Sequence, residues 1–212
     1  MSPSPLALLI DMDGVLVDTE TPALEALAET FADHGATIDA AEVMVRFRGK
    51  NLDRCPDEVS DVLGGSVPAG FIAEARRLAR CGPTPQAERG ALAVLSARIP
   101  RRIVTNSTLS WALSTLGGAG LQQAIAENDI VTIDRVDRPK PAPDLYLTAV
   151  AELGVAASDC LAIEDSITGL QAARAAGVPA VGYSPDPRHQ RSLSAAGFPT
   201  ITGLGALWGM TE

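Results

Sequence analysis

The 212-residue chain predicts an α/β fold: a three-layer core built on a central parallel sheet, plus an inserted all-helical domain. Three observations predict it. Short apolar runs of strand length recur from end to end. Helical patterns lie between most of them, and strands that alternate with helices imply βαβ units with helices on both faces of the sheet. One long stretch near the N-terminus breaks that alternation and carries helical patterns alone. The length suits one domain with a modest insertion.

The first strand is Leu6–Ile10, an apolar run that ends abruptly in Asp11. Such a run fits a strand buried on both faces of a parallel sheet. From about Pro22 to Arg80 the patterns are helical: Ala23–His34, a turn at Gly35, Ala40–Phe47, Gly49, a further helix, the Gly64-Gly65 turn and Phe71–Arg80. This block predicts a helical domain over residues 18–82. The Cys81-Gly-Pro-Thr-Pro85 run is the expected hinge on the way back. The core is then assigned to residues 1–17 and 83–212. Its further strands are Arg102–Thr105, Ile130–Ile133, Cys160–Ile163 and Ala180–Tyr183, with a short Thr200–Ile201 piece. Helices over Glu88–Arg98, Leu109–Leu116, Pro143–Leu153, Ile167–Ala176 and Arg188–Ala196 separate them. Gly177 and Gly197 each follow a last helical turn, where a left-handed cap is wanted.

Composition narrows the function. With 46% hydrophobic and 20% charged residues the chain reads as an ordinary globular protein. Aromatic residues are only 4%, which predicts an aliphatic core. A net charge of -9 argues against nucleic-acid binding, which needs a basic footprint. The cysteines, Cys55, Cys81 and Cys160, are odd in number and lack metal-binding spacing, so reduced thiols in a cytoplasmic setting are expected, each buried or half-buried. No segment reads as a signal peptide or a membrane span. The expected partner is a small molecule, not nucleic acid or membrane, and the expected state is a monomer or small homo-oligomer.

Four groups of residues carry the chemistry, each at or near the end of a predicted strand. Asp11 and Asp13 lie at i and i+2, so both leave the same face of extended chain. Like charges that close repel, and a cation offsets the repulsion. Ligands in open α/β sheets bind beyond the carboxyl ends of strands, which makes this the expected place for a magnesium-dependent phosphate site. A carboxylate here can attack phosphorus, and a second can move a proton. Thr105-Asn106-Ser107 offers a hydroxyl, an amide and backbone N–H groups to phosphate oxygens, or equally an N-cap to the next helix. Lys140 stands between Pro139 and Pro141, which restrict where it points. Glu164-Asp165 is a second acid pair, suited to magnesium or to the dipole of the following helix.

Taken together, the order and spacing of these groups resemble the haloacid dehalogenase superfamily of phosphohydrolases. DMDGVLVDTE, IVTNS, RPKPAPDLY and LAIEDSITGL are similar to its four motifs in sequence, over Leu6 to about Tyr183. The helical insert resembles the C1-type cap of the subgroup with β-phosphoglucomutase and phosphoglycolate phosphatase. The resemblance implies a Rossmann-like core and a role for each residue. Asp11 is the implied nucleophile and a metal ligand. Asp13 is the implied general acid/base, with its carbonyl on the metal. Thr105 and Asn106 bind the phosphoryl group, Lys140 steadies Asp11 and the phosphate, and Asp165 completes the Mg2+ site with Glu164 in support.

The same resemblance points to one branch. Metal-free dehalogenases lack the second aspartate, and Asp13 is present. A phosphonatase-like cap needs an early lysine, yet the first lysine is Lys50. The histidine of β-phosphoglucomutase caps is matched by Ala23, which favours hydrolysis over mutase activity. The expected activity is thus a phosphatase acting on a small phosphorylated metabolite such as a sugar phosphate or sugar acid phosphate. A phosphomutase and a non-catalytic phosphometabolite-binding protein are the alternatives. Arg46-Phe47-Arg48-Gly49-Lys50-Asn51 is the best local basic patch, and Arg48, Gly49 and Lys50 are its expected specificity residues, since a second negative charge on the substrate would suit them. A helix end with cations at its C-terminus is the plainer account of the same residues.

Overall fold

The computed structural model describes residues 5–48, 50, 52, 55–82 and 84–208. In chain order the elements are β1 (Ala7–Ile10), β2 (Val17–Asp18), α1 (Glu20–Asp33), α2 (Ala40–Phe47), α3 (Pro56–Leu63), α4 (Phe71–Cys81), β3 (Gln86–Ala87), α5 (Ala91–Ser96), β4 (Arg101–Val104), α6 (Leu109–Gly118), β5 (Ile130–Val131), α7 (Asp144–Leu153), β6 (Cys160–Glu164), α8 (Ile167–Ala175), β7 (Ala180–Tyr183), α9 (Pro187–Ala195) and β8 (Thr200–Ile201). The chain divides into two compact units, Met1–Asp18 with Gln86–Glu212, and Thr19–Pro85.

The first unit is built on a six-stranded parallel sheet of order β5-β4-β1-β6-β7-β8. Alternation along β1 builds the three layers. Leu8 and Ile10 pack with Val94 and Leu95 of α5 and Leu116 of α6, while Ala7 and Leu9 pack on the other face with Leu145 and Ala149 of α7 and Ala172 of α8. Each of these strand residues is 0–1% exposed. Fully burying one such Leu or Ile is worth about 1.5–3 kcal/mol, so β1 has one stable register. That register aligns Ile10 with Ile103 of β4 and Ile163 of β6, and brings three strand ends to one edge. The chain leaves β1 for β4 and β5 on one side and for β6 to β8 on the other. The end of β1 is therefore the switch point where ligands bind in such sheets.

The second unit is helical. Leu24, Leu27 and Phe31 of α1, Val43 and Phe47 of α2, Val59 of α3, and Phe71 and Ala75 of α4 form its core. Phe31 sits 5.6 Å from Phe47 and 5.1 Å from Phe71 between ring centroids. The sheet unit's core is aliphatic apart from Tyr146, Tyr183 and Phe198, whereas this unit concentrates three of the chain's four phenylalanines. Asp39 caps α2 by accepting from Glu42 N at 2.7 Å, and Pro56 opens α3.

Two features depart from the sequence reading. β2 and β3 form a two-stranded antiparallel ladder, Val17 with Ala87 and Asp18 with Gln86, where the helical stretch leaves and rejoins the core. Gln86 and Ala87 are exposed and form no apolar run, so β3 carried no strand signal, and without its partner β2 carried none either. Cys81 is exposed, not buried, because it ends α4 on a turn that faces water, while Cys55 and Cys160 are buried as expected. Among the described residues, no helix is long and apolar enough to cross a membrane.

Candidate active site

The site begins one residue past β1. Asp11 N donates to Ile163 O at 2.9 Å, so the backbone stays in register and sets the Asp11 side chain on the carboxyl edge of the sheet. Met12, fully buried, pins the next residue into the core. Asp13 then returns toward the same side as Asp11. Gly14 turns the chain at φ +76, and a Cβ there would lie 2.1 Å from Asp165 Oδ2, so only glycine allows this approach.

Lys140 comes in from the loop before α7 and is buried. Its ammonium donates to Asp11 Oδ1 at 2.5 Å, Glu164 Oε1 at 2.6 Å and Val104 O at 2.6 Å. All three of its protons are thereby used. Its backbone is gripped by Asn106: Lys140 N donates to Asn106 Oδ1 at 2.9 Å, and Asn106 Nδ2 donates to Lys140 O at 3.2 Å.

Glu164, at the end of β6, is fully buried. Its Oε1 also accepts from the Tyr146 hydroxyl at 2.6 Å, and its Oε2 from Ser166 Oγ at 3.2 Å. Ser166 caps α8 as well, accepting from Gly169 N at 3.0 Å. A Cβ on Gly169 would lie 2.0 Å from Glu164 Cδ. His189 Nε2 is 2.6 Å from the Asp165 carbonyl oxygen; since a carbonyl only accepts, the proton sits on Nε2. Ser107 Oγ donates to Asp13 Oδ2 at 2.9 Å, with Thr105 Oγ1 at 3.4 Å from the same oxygen.

The electrostatics are those of a crowded acid cluster. Burial pushes the Asp11 carboxyl well above its ordinary range, against the pull of Lys140 and with help from Glu164 and Asp13. Burial alone would lower the Lys140 ammonium, but Asp11 and Glu164 hold it above its ordinary value. Burial and the neighbouring carboxylates also push the Tyr146 phenol well up, so it is a fixed donor at any ordinary pH. Asp11, Glu164 and Asp165 each offer an oxygen within 4.8 Å of the others. An all-oxygen, anionic set of this kind fits a hard divalent cation and would relieve the charge that Lys140 alone leaves unbalanced.

The structure thus gathers Asp11, Asp13, Thr105, Asn106, Lys140, Glu164 and Asp165 at one edge of the sheet. Arg48 and Lys50 belong to the helical unit. Arg48 donates to Thr21 Oγ1 at 3.1 Å and reaches Glu20 Oε2 at 3.5 Å, and Lys50 pairs with Glu58. Gly49 lies outside the described residues. The sequence reading placed Ser107 only in the 105–107 phosphate or N-cap group, without its bond to Asp13, and gave no role to Tyr146 or His189. Ser107 and Tyr146 stand inside the quoted motifs IVTNS and RPKPAPDLY, and their place there was the available signal.

An acid pair at a switch point, a buried lysine and an oxygen cluster for a cation define a hydrolase-type site on an α/β scaffold. A model of the haloacid dehalogenase-like hydrolase family matches residues 6–177, and the chain belongs to that family of hydrolases. It is 36% identical over 228 aligned positions to phosphoglycolate phosphatase of Rhodospirillum rubrum, covering 98% of this chain and 92% of that one. It is 35% identical over 178 residues to hexitol phosphatase A of Escherichia coli, covering 80% and 78%. Among solved structures, a HAD family hydrolase from Deinococcus radiodurans with bound phosphate and sodium superimposes with a TM-score of 0.81 at 30% identity, over 96% of this chain and 93% of that one.

Proposed function

We propose that the protein is a Mg2+-dependent phosphatase that hydrolyses a small phosphorylated metabolite, a sugar phosphate or sugar acid phosphate, through an aspartyl-phosphate on Asp11. The observation that carries this reading is the pairing of two differently held aspartates at one strand end. Asp11 is buried against Lys140 at 2.5 Å, while Asp13 is half-buried and oriented by Ser107 at 2.9 Å. Two carboxyl groups in unlike environments suit a nucleophile and a proton carrier.

In the first step an Asp11 oxygen attacks phosphorus and the ester P–O bond breaks. Protonated Asp13 gives its proton to the departing oxygen. In the second step Asp13 takes a proton from water as that water attacks phosphorus. The bond from phosphorus to Asp11 breaks, and Asp11 and protonated Asp13 are restored. Lys140 offsets charge on Asp11 and the phosphoryl oxygens, and Thr105 with the 105–107 backbone turn borders the same place. Asp11, Glu164 and Asp165 would hold the cation, with the Asp13 carbonyl as a further donor; bound there, it supplies charge neutralisation to the transferring group.

The phosphatases named among the relatives support the phosphomonoester class, and two of them act by name on a hexitol phosphate and on phosphoglycolate. Choice of leaving group is assigned to Arg48, Gly49 and Lys50 in the sequence of the helical unit. The test is phosphate release across sugar phosphates, sugar acid phosphates, phosphoglycolate and nucleotides, with and without Mg2+. Turnover that needs Mg2+ and vanishes in Asp11→Asn is expected. Isomerisation without net phosphate release, or no turnover by folded protein, would overturn the reading.

A further inference from the structure

We propose that Tyr146 is a positioning residue that presets the Glu164 carboxylate for a divalent cation, and that its hydroxyl gives the site its preference for Mg2+ over Ca2+. This rests on the cation reading of the Asp11, Glu164 and Asp165 cluster.

Both oxygens of the Glu164 carboxylate are held by donors, and one of its oxygens still lies within 4.8 Å of oxygens of Asp11 and Asp165. Tyr146 Oη and Lys140 Nζ both donate to Oε1 at 2.6 Å, and Ser166 Oγ donates to Oε2 at 3.2 Å. The Cδ lies against Gly169, where a Cβ would come within 2.0 Å. The donors are not equivalent. Lys140 divides its protons among Glu164, Asp11 and the Val104 carbonyl, and Ser166 also caps α8. Tyr146 has one proton and gives it to Glu164. Its ring is fully buried on α7, packed with Leu145, Ala149, Val104 and Ala162, so the hydroxyl is fixed by the core and not by the cluster. Lys140 Nζ also stands 5.3 Å from the ring centroid.

The consequence for a cation follows from geometry. Groups hydrogen-bonded to a ligating carboxylate orient it, and losing one costs about 10–100-fold in metal affinity. Mg2+ demands near-ideal octahedral geometry at short distance, whereas Ca2+ accepts variable geometry and more ligands. A Glu164 fixed through Tyr146 favours the more exacting ion. A Glu164 held by Lys140 and Ser166 alone turns more easily, which penalises Mg2+ and leaves Ca2+ nearly unaffected.

The test is calorimetric titration of the whole chain with MgCl2 and CaCl2 alone, comparing wild type with Tyr146→Phe, which keeps the ring. The Kd for Mg2+ should rise about tenfold and that for Ca2+ by about twofold or less. Tyr183→Phe is the comparison. It removes another phenol–carboxylate bond in the same unit, the half-buried one from Tyr183 Oη to Glu88 Oε2 at 2.8 Å, and should leave both constants unchanged. On a Glu164→Gln background, Tyr146→Phe should no longer alter the Mg2+/Ca2+ ratio, because its effect runs through that carboxylate. An unchanged ratio in Tyr146→Phe, or the same shift in Tyr183→Phe, overturns this inference alone. A wild type that binds no Mg2+ overturns the cation reading, and this inference with it.

Discussion

Asn106 and Lys140 hold one another by a two-point hydrogen bond, Lys140 N to Asn106 Oδ1 at 2.9 Å and Asn106 Nδ2 to Lys140 O at 3.2 Å. The amide side chain that follows β4 thus splints the loop that carries the buried ammonium. Its two poles serve the Lys140 backbone.

Asn106→Ala should therefore act through Lys140. A displaced ammonium near the reacting group is expected to lower kcat by about 10²-fold with a smaller change in KM. Steady-state phosphate release measures both. A kcat within about twofold of wild type would show that the loop keeps its shape unaided.

Gly169→Ala places a methyl on the Glu164 carboxyl, 2.0 Å from its Cδ. Helix propensity alone would make this substitution stabilising, since alanine is the better helix former. The clash should reverse the sign, destabilising the fold by about 1–3 kcal/mol and weakening cation binding in parallel. Urea unfolding read beside a Mg2+ titration separates the two effects, and a stabilised variant would contradict the prediction.

Stability should couple to pH through Asp11. Burial raises its folded-state pKa well above the ordinary 3.8. A raised pKa means a contribution fully present below the unfolded value and lost as pH rises through the folded one. Above that point the cation-free fold holds a costly buried carboxylate, which a cation relieves. Lys140, raised above 10.5, keeps its contribution until far more alkaline pH and does not vary across the range of interest. Mg2+ should hence raise Tm more at about pH 8 than at about pH 5. In Asp11→Asn the difference should shrink, and an equal Mg2+ shift at both pH values in wild type would count against it.

In the helical unit, Phe31→Ala removes the ring shared by Phe47 and Phe71. A loss of about 3–5 kcal/mol is expected on denaturant unfolding. Far-UV circular dichroism would follow it, with a loss below about 1 kcal/mol as the contrary result.

The sheet was legible because most of its strands carry short apolar runs, and β1 announces its end by switching from Ile10 to Asp11. The acids of the site were legible for the same reason, since charge directly after a buried strand has nowhere to go but the sheet edge. What stayed hidden was partnership at long range. The spacing of Asn106 and Lys140 along the chain carries no sign that they bond, and nothing local says that Gly169 faces Glu164 or that Tyr146 donates to it. Such pairings arise from how helices lie on the sheet, and periodicity reports only which face of an element is buried. Cys81 was misjudged because residue type predicts burial on average, while a helix end is exposed by position.

The ladder of Val17 with Ala87 and Asp18 with Gln86 gives the helical stretch a particular topological status. Glu88 N also closes onto Leu16 O at 2.9 Å, so the chain comes back within a hydrogen bond of where it departed. To the sheet, residues 19–85 are equivalent to the loop of a β-hairpin. The entropy of closing a loop grows only with the logarithm of its length, about 0.6 kcal/mol per doubling. An insertion fastened in this way can be lengthened, shortened or exchanged during evolution at little expense to the framework beneath. On the proposed assignment of leaving-group choice to the helical unit, new substrate preferences can arise by replacing a loop's contents while Asp11, Asp13 and Lys140 stay where they are.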